Sequence, residues 1–303
     1  MRKFAYIICL MALLVMVAAS FSCTLAQNKV AVISLSGPIQ YESSSFIFGG
    51  GAITPDAVRT ELERAKNDDS VKAIVLQINS PGGSVAASQE IVNLLEQVEK
   101  PIVVSMSDLA ASGGYYISAG TDKIVALPGT LTGSIGVISE VPNLKGLFDK
   151  LGIDMQVFIS GKHKDMYGGF RDLTPEEKVI MQDMTDQLYN QFVQVVARGR
   201  NLSEDKVREL ANGQLYTGVQ AKELGLVDEL GGLQTAIDAA ASLAGISKPE
   251  VEYYRPQTPS ILDSLLGMGR QNQRRLIQPT SLNAQDIILL ETLTNTYPQP
   301  QYR

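Results

Sequence analysis

Apolar residues fall along this chain in short continuous runs separated by polar stretches with a helical rhythm. Lys29-Val-Ala-Val-Ile-Ser-Leu35, Val71-Lys-Ala-Ile-Val-Leu-Gln-Ile78, Pro101-Ile-Val-Val-Ser-Met106 and Ile124-Val-Ala-Leu127 have the length and β-branched content of buried strands. Between them, Thr54 to Lys66 and Val85 to Val98 carry apolar positions at helical spacing, and Pro55 stands where a helix's first turn tolerates it. Strand and helix in alternation predict βαβ units and a mostly parallel sheet. After Lys164 the pattern turns helical. Thr174 to Arg198 opens on a Thr-Pro-Glu-Glu capping signature, followed by Ser203 to Leu210, Gly218 to Leu224 and Leu233 to Ala244. No repeat and no composition break divides the middle, so one α/β domain with a helical C-terminal part is expected over residues 27–257.

The ends differ from this body. Arg2 and Lys3 precede Phe4 to Phe21, an apolar run of 18 residues without a charge. Such a run is an export signal or signal anchor, with its positive end in the cytoplasm and the bulk of the chain outside. Its length just reaches that of a bilayer-spanning helix, which favours an uncleaved anchor over residues 1–26. Thr24-Leu-Ala26 offers the alternative, a small-residue cleavage site before Gln27. At the other end, residues 258–303 form a C-terminal extension. Beyond Gly269 it is rich in Gln, Asn and Pro around one apolar island, Ile287 to Leu290, and reads as poorly ordered and a candidate for self-trimming. Phe46, Ile47 and Phe48, set between serines and glycines, form either a lip for membrane or a neighbouring subunit, or a loop folded onto its own core.

Composition removes several classes of function. Both cysteines, Cys9 and Cys23, lie in the N-terminal segment, so the exported body has no disulfide framework, thiol nucleophile or Cys/His zinc site. Removing residues 1–26 takes away two basic residues and no acidic one, moving the formal charge from −6 to −8. An acidic ectodomain argues against nucleic acid as a partner.

What chemistry remains centres on Asp108-Leu-Ala-Ala-Ser-Gly-Gly-Tyr-Tyr116. A small-residue turn from a buried strand into a helix holds the Ser112 hydroxyl at a helix N-terminus, where backbone N–H groups favour developing negative charge. Ser112 is thus a candidate nucleophile, or alternatively an ordinary helix cap. The chain has a single histidine, His163, flanked by Lys162 and Lys164, a poor setting for an imidazolium. A lysine is the better base, provided it is neutral. With a reference pKa near ~10.4 the deficit at neutral pH is roughly 4 kcal/mol, within what burial in an apolar pocket supplies. Lys162 and Lys164 are both candidates. An oxyanion hole is expected from Asn79-Ser-Pro-Gly-Gly-Ser84, with Gly83 as donor and the Gly113 amide as a second. Ser134, in Leu131-Thr-Gly-Ser-Ile-Gly-Val137, is placed to orient a neutral lysine.

Asn79 to Gly83, Ala111 to Tyr116, Leu131 to Val137, Ser160-Gly-Lys-His-Lys-Asp165, Leu173-Thr-Pro-Glu-Glu177 and Gly225-Leu-Val-Asp228 together resemble the signal peptide peptidase A family, in family order across about residues 29 to 245. The resemblance implies a membrane-associated serine peptidase of the crotonase/Clp-type fold, built of repeated ββα units, that degrades signal peptides and other unfolded or apolar peptides without a metal or cofactor. It implies Ser112 as nucleophile, Lys164 rather than Lys162 as general base, Ser134 as the lysine-orienting hydroxyl and Gly83 as the oxyanion amide. A single copy of the motif set corresponds to the short form of the family. That form implies a homo-oligomeric ring in which a neighbouring subunit can supply the lysine. Two alternatives stand beside it: a crotonase-like acyl-CoA hydratase or isomerase, which calls for an acidic base near the oxyanion hole, and a catalytically silent membrane scaffold.

Overall fold

The computed structural model describes residues 28–42 and 51–254. The readings of the 1–26 segment, the Phe46–Phe48 lip and the 258–303 tail fall outside the described residues. Eight strands make one sheet: β1 (Lys29–Ser36), β2 (Val71–Ser80), β3 (Ile102–Ala111), β4 (Lys123–Ala126), β5 (Leu131–Gly133), β6 (Leu215–Thr217), β7 (Glu229–Leu230) and β8 (Glu250–Tyr254). The main path runs β6-β5-β3-β2-β1-β8, and only the β5–β6 pair is antiparallel. A mostly parallel α/β sheet is therefore what the structure contains.

Helices cover both faces. α1 (Pro55–Asn67), α2 (Val85–Leu95), α3 (Gly113–Ala119) and the C-terminal half of α5 (Pro175–Arg200) pack one side, and α8 (Leu233–Leu243) packs the other. Alternation along the strands divides the core accordingly. Ala31, Ile33, Ile74, Leu76 and Val104 join the larger cluster, while Val30, Val32, Ala73, Val75 and Val103 meet Ala236, Ile237, Ala240 and Ala241 of α8. The small α8 residues let that helix lie close on a valine surface. Between them come α4 (Lys145–Leu151), α6 (Glu204–Leu210) and α7 (Gly218–Glu223). The capping residues act as the sequence implies. Thr54 Oγ1 accepts from Ala57 N at 3.2 Å, and Thr174 and Glu177 form a complete capping box on α5.

Three departures from the sequence pattern bear on the site. First, β3 continues five residues past Met106, because Leu109, Ala110 and Ala111 pair with β5. The alanines before Ser112 are thus strand, not turn. Second, Ile39, in a stretch for which no element was expected, makes isolated bridges with Ile53 and with Gly83. Third, α4 lies in a stretch for which no element was expected, and none of its residues is buried. From Glu140 to Gly161 nearly every residue is exposed, as is the first half of α5 apart from its capping turn. This segment forms an arm that leaves the body, whereas Phe192, Val193, Val195 and Val196 root α5 in the core.

Candidate active site

Immediately after β3, Ser112 adopts φ 52° and ψ −120°. That region costs a non-glycine residue about 1–3 kcal/mol and persists only where surroundings enforce it. The enforcement is visible on both sides: Ser112 N donates to Gly133 O at 2.8 Å, prolonging the β3–β5 ladder, and Tyr116 N donates to Ser112 O at 2.8 Å, starting α3. Although Ser112 occupies the N-cap position, its side chain makes no capping hydrogen bond. The hydroxyl is thus not engaged in capping the helix, and Ser112 lines a cleft. Gly82 sits against this elbow. A Cβ there would lie 2.8 Å from Ser112 Cβ and 2.5 Å from Gly113 N, so no other residue fits at its φ of 93°.

Gly83 and Gly113 line the same cleft as Ser112. Ile39 N donates to Gly82 O at 2.9 Å and Ser84 N to Ile39 O at 2.8 Å, a bridge that skips the Gly83 amide. Gly113 is the first residue of α3, whose amide has no partner within the helix. Among the described residues, neither amide donates to a protein acceptor. A Cβ built on Gly113 would come within 3.3 Å of Gly83 N, which places the two donors side by side.

Ser134 follows β5 with φ 49°, and its amide donates to Gln214 O at 2.8 Å. Ser112, Ser134, Gly83 and Gly113 line one cleft of about 580 Å³. Val85, Tyr116, Val137, Ile138, Leu188 and Phe192 give it apolar walls. Tyr116 and Phe192 meet edge to face at 5.1 Å, and burial pushes the Tyr116 hydroxyl pKa up. No carboxylate lines the cleft among the described residues, which leaves the acyl-CoA alternative without its acidic base.

Lys164 lies elsewhere. It does not line the cleft of its own chain, its side chain is exposed, and among the described residues its amine has no hydrogen-bond or ion-pair partner. Its neighbours are engaged: Lys162 pairs with Glu176, and His163 stands 3.4 Å from Glu176 and 3.3 Å from Glu177. Four of the expected site residues thus share one cleft, while the expected base sits on the arm.

The peptidase family S49 model matches residues 95–247, and the Clp protease model matches residues 46–132. The chain belongs to peptidase family S49. A protein of Enterococcus faecium named as a signal peptide peptidase, SppA, is 38% identical over 245 residues, covering 80% of this chain and 71% of that one. A protease of Synechocystis is 44% identical over 216 residues, covering 70% and 78%. Protease 4 of Haemophilus influenzae is 34% identical over 268 residues, covering 85% of this chain and 43% of its own. This S49 chain is a serine peptidase.

Sequence reading missed the cleft walls. Tyr116, Leu188 and Phe192 come from two helices far apart in the chain, each residue also legible as ordinary core. The Tyr115–Tyr116 pair was the available signal. Tyr115 is fully buried with its hydroxyl on Leu226 O at 3.0 Å, so its neighbour, a helical step away, faces the cleft. The Gly225-to-Asp228 motif proves structural in its contacts. Asp228 accepts from Ile124 N at 2.7 Å and from Arg200 at 2.5 Å, tying β4 to α5.

Proposed function

We propose that this S49 peptidase cleaves unfolded and apolar peptides, released signal peptides among them, through a Ser112/Lys164 dyad. The observation that carries the reading is the strained Ser112 elbow beside two unused amides in an apolar cleft. In this mechanism neutral Lys164 takes the Ser112 proton as Oγ attacks the scissile carbonyl. The Gly83 and Gly113 amides hold the resulting oxyanion. The lysinium then protonates the leaving amine, and water activated by the same lysine frees the acyl group and restores Ser112. Ser134, on the same cleft, hydrogen-bonds the amine and orients it.

A general-base lysine must be desolvated, and Lys164 is exposed on its own chain. The arm that carries it exposes Leu147, Leu151, Met155, Ile159 and, most fully, Phe158 at 93%. An apolar surface of this kind marks an interaction site. A second copy covering the arm would bury the lysine and bring it to a neighbour's Ser112, consistent with assembly as a homo-oligomeric ring. Residues 4–21 supply attachment to the membrane, with the catalytic body on its outer side. Among the described residues no helix is long and apolar enough to cross a bilayer, so this part rests on the sequence alone.

The test compares wild type with Ser112→Ala, Lys164→Ala, Lys162→Ala and His163→Ala on a fluorogenic apolar peptide. Loss confined to the first two variants supports the dyad. Survival without Ser112, or dependence on His163 with Lys164 dispensable, overturns it. Mixing the Ser112→Ala and Lys164→Ala chains tests the shared site, since recovered activity requires the two to complement.

A further inference from the structure

Arg171 makes the densest set of ionic contacts on the arm. Its Nε and Nη2 donate to Asp165 Oδ2 and Oδ1 at 2.8 and 2.6 Å, and its Nη1 and Nη2 donate to Glu177 Oε2 and Oε1, both at 2.8 Å. Both carboxylates are thus gripped in a bidentate manner, which fixes direction as well as distance. Glu177 is almost wholly buried and also accepts from Thr174 N at 2.9 Å, so one end of the grip is the first turn of α5. The other end is the loop that carries Lys164. There Lys164 N donates to Gly161 O at 3.1 Å and Met166 N to His163 O at 3.2 Å, turns with no strand or helix to stiffen them.

The side chains on either side of Lys164 are therefore tied down while that of Lys164 is not. His163 reaches Glu177, Asp165 is held by Arg171, and Met166 is buried. Helix capping alone does not call for this arrangement. The Thr174–Glu177 box already satisfies the start of α5, and Asp165 takes no part in it. The additional bidentate contact to Asp165 ties the residue next to Lys164, through Arg171, to the first turn of α5.

We infer that Arg171 is a positioning residue for the peptidase reaction, clamping the Lys164 loop to the first turn of α5 so that the amine is presented in one orientation. The inference rests on Lys164 being the base. Arg171 touches neither substrate nor the Ser112 hydroxyl and acts through Lys164. Lysine in its place would reach one carboxylate as a point charge and could not fork across two.

The experiment measures kcat and KM of the full-length protein on a fluorogenic apolar peptide for Arg171→Ala, Arg171→Lys and Asp165→Asn. Each is made in the wild-type and Lys164→Ala backgrounds. Background rates without the base are read as acylation of Ser112 by a nitrophenyl ester. Arg171→Ala is expected to lower kcat about a hundredfold, the scale on which misplacing a reacting group acts, with KM little changed and Arg171→Lys recovering only part of the loss. In the Lys164→Ala background the same substitutions should lower the rate no further. Arg171→Ala strands the buried Glu177 carboxylate, so thermal melts accompany it. If that variant does not fold, Asp165→Asn decides, since it leaves Arg171 on Glu177 and loosens only the loop. Wild-type kcat in a folded Arg171→Ala protein, or in Asp165→Asn where Arg171→Ala is unfolded, overturns the clamp. So does an equal loss with and without Lys164. Full activity of Lys164→Ala itself would instead remove the base assignment and the clamp's role with it, an outcome distinguishable from failure of the clamp alone.

Discussion

The amide of Ser112 donates to the carbonyl of Gly133 at 2.8 Å, and the residue after that carbonyl is Ser134, so Ser112 and Ser134 follow neighbouring parallel strands joined at their ends. Both have left-handed backbones, Ser112 at φ 52° and Ser134 at φ 49°. Asn201 also has a positive φ, but with ψ 42° it is the ordinary αL cap that terminates α5, where asparagine is well tolerated. Neither serine has such an excuse. Their conformations are imposed by the β3–β5–β6 ladder, which fixes Ser112 through Gly133 and Ser134 through Gln214. The strand ends thus place both serines on the cleft, and their strained backbones are a cost in stability.

That cost can be measured. Ser112→Gly should stabilise the protein relative to Ser112→Ala by about 1–2 kcal/mol, because glycine adopts this backbone freely and alanine does not. For a chain of this size the difference in melting temperature is roughly 2–6 °C. Both proteins should be inactive. Calorimetry showing Ser112→Gly at or below Ser112→Ala would mean the elbow stores no strain.

Gly113→Ala should impair catalysis for a steric reason. The new Cβ would stand 2.7 Å from Ser88 Oγ, which is itself held on Ser84 O at 2.9 Å. Relief requires the start of α3 to shift and carries the Gly113 amide out of line. Loss of one oxyanion donor lowers kcat by about 10²–10³. Adding Ser88→Ala removes the obstructing hydroxyl and should recover part of the rate. A double variant no better than Gly113→Ala would show that the damage has another origin.

Strand and helix positions were largely legible because burial and period coincide. β2 is buried nearly throughout, and Thr54, Thr174 and Ser203 begin their helices as capping chemistry requires. The short strands β5, β6 and β7, of two or three residues, were not legible, since their existence depends on pairing partners distant in sequence rather than on local pattern. Of the site, the glycine loops and Ser112 stood out through small-residue content. Phe192, Tyr116 and Leu188 did not, because an apolar side chain reads alike whether it faces a core or a cleft. Arg171 escaped for a related reason: a charge in a polar stretch gives no sign that it will meet Asp165 and a buried Glu177.

Phe192→Ala should widen the cleft. Phe192 is 4% exposed and supports Tyr116 from α5, so its removal costs about 3–5 kcal/mol. In protein that remains folded, kcat/KM should move toward peptides with bulkier apolar side chains at the cleaved bond, measured on a series from alanine to tryptophan. An unchanged ranking would place the specificity wall elsewhere.

The arm should loosen in acid, and Arg171 should be the reason. Hydrogen bonds from Arg171 hold the Glu177 and Asp165 carboxyls below the usual carboxylate range. A carboxyl whose folded pKa is depressed contributes stability that is present above its unfolded pKa and is lost as pH falls toward the folded value. With unfolded values near ~4, the contribution should be intact at pH 6 and decline progressively below about pH 4. The measurement is hydrogen exchange of residues 161–177 between pH 6 and pH 3, corrected for the intrinsic rate, with β2 as an internal reference. Protection of the arm should fall over this range while that of β2 persists. In Arg171→Ala the arm should already be poorly protected at pH 6 and depend less on pH, because the partner that lowers both carboxyls is gone. Parallel profiles for the two proteins would show that something other than the Arg171 grip orders the loop.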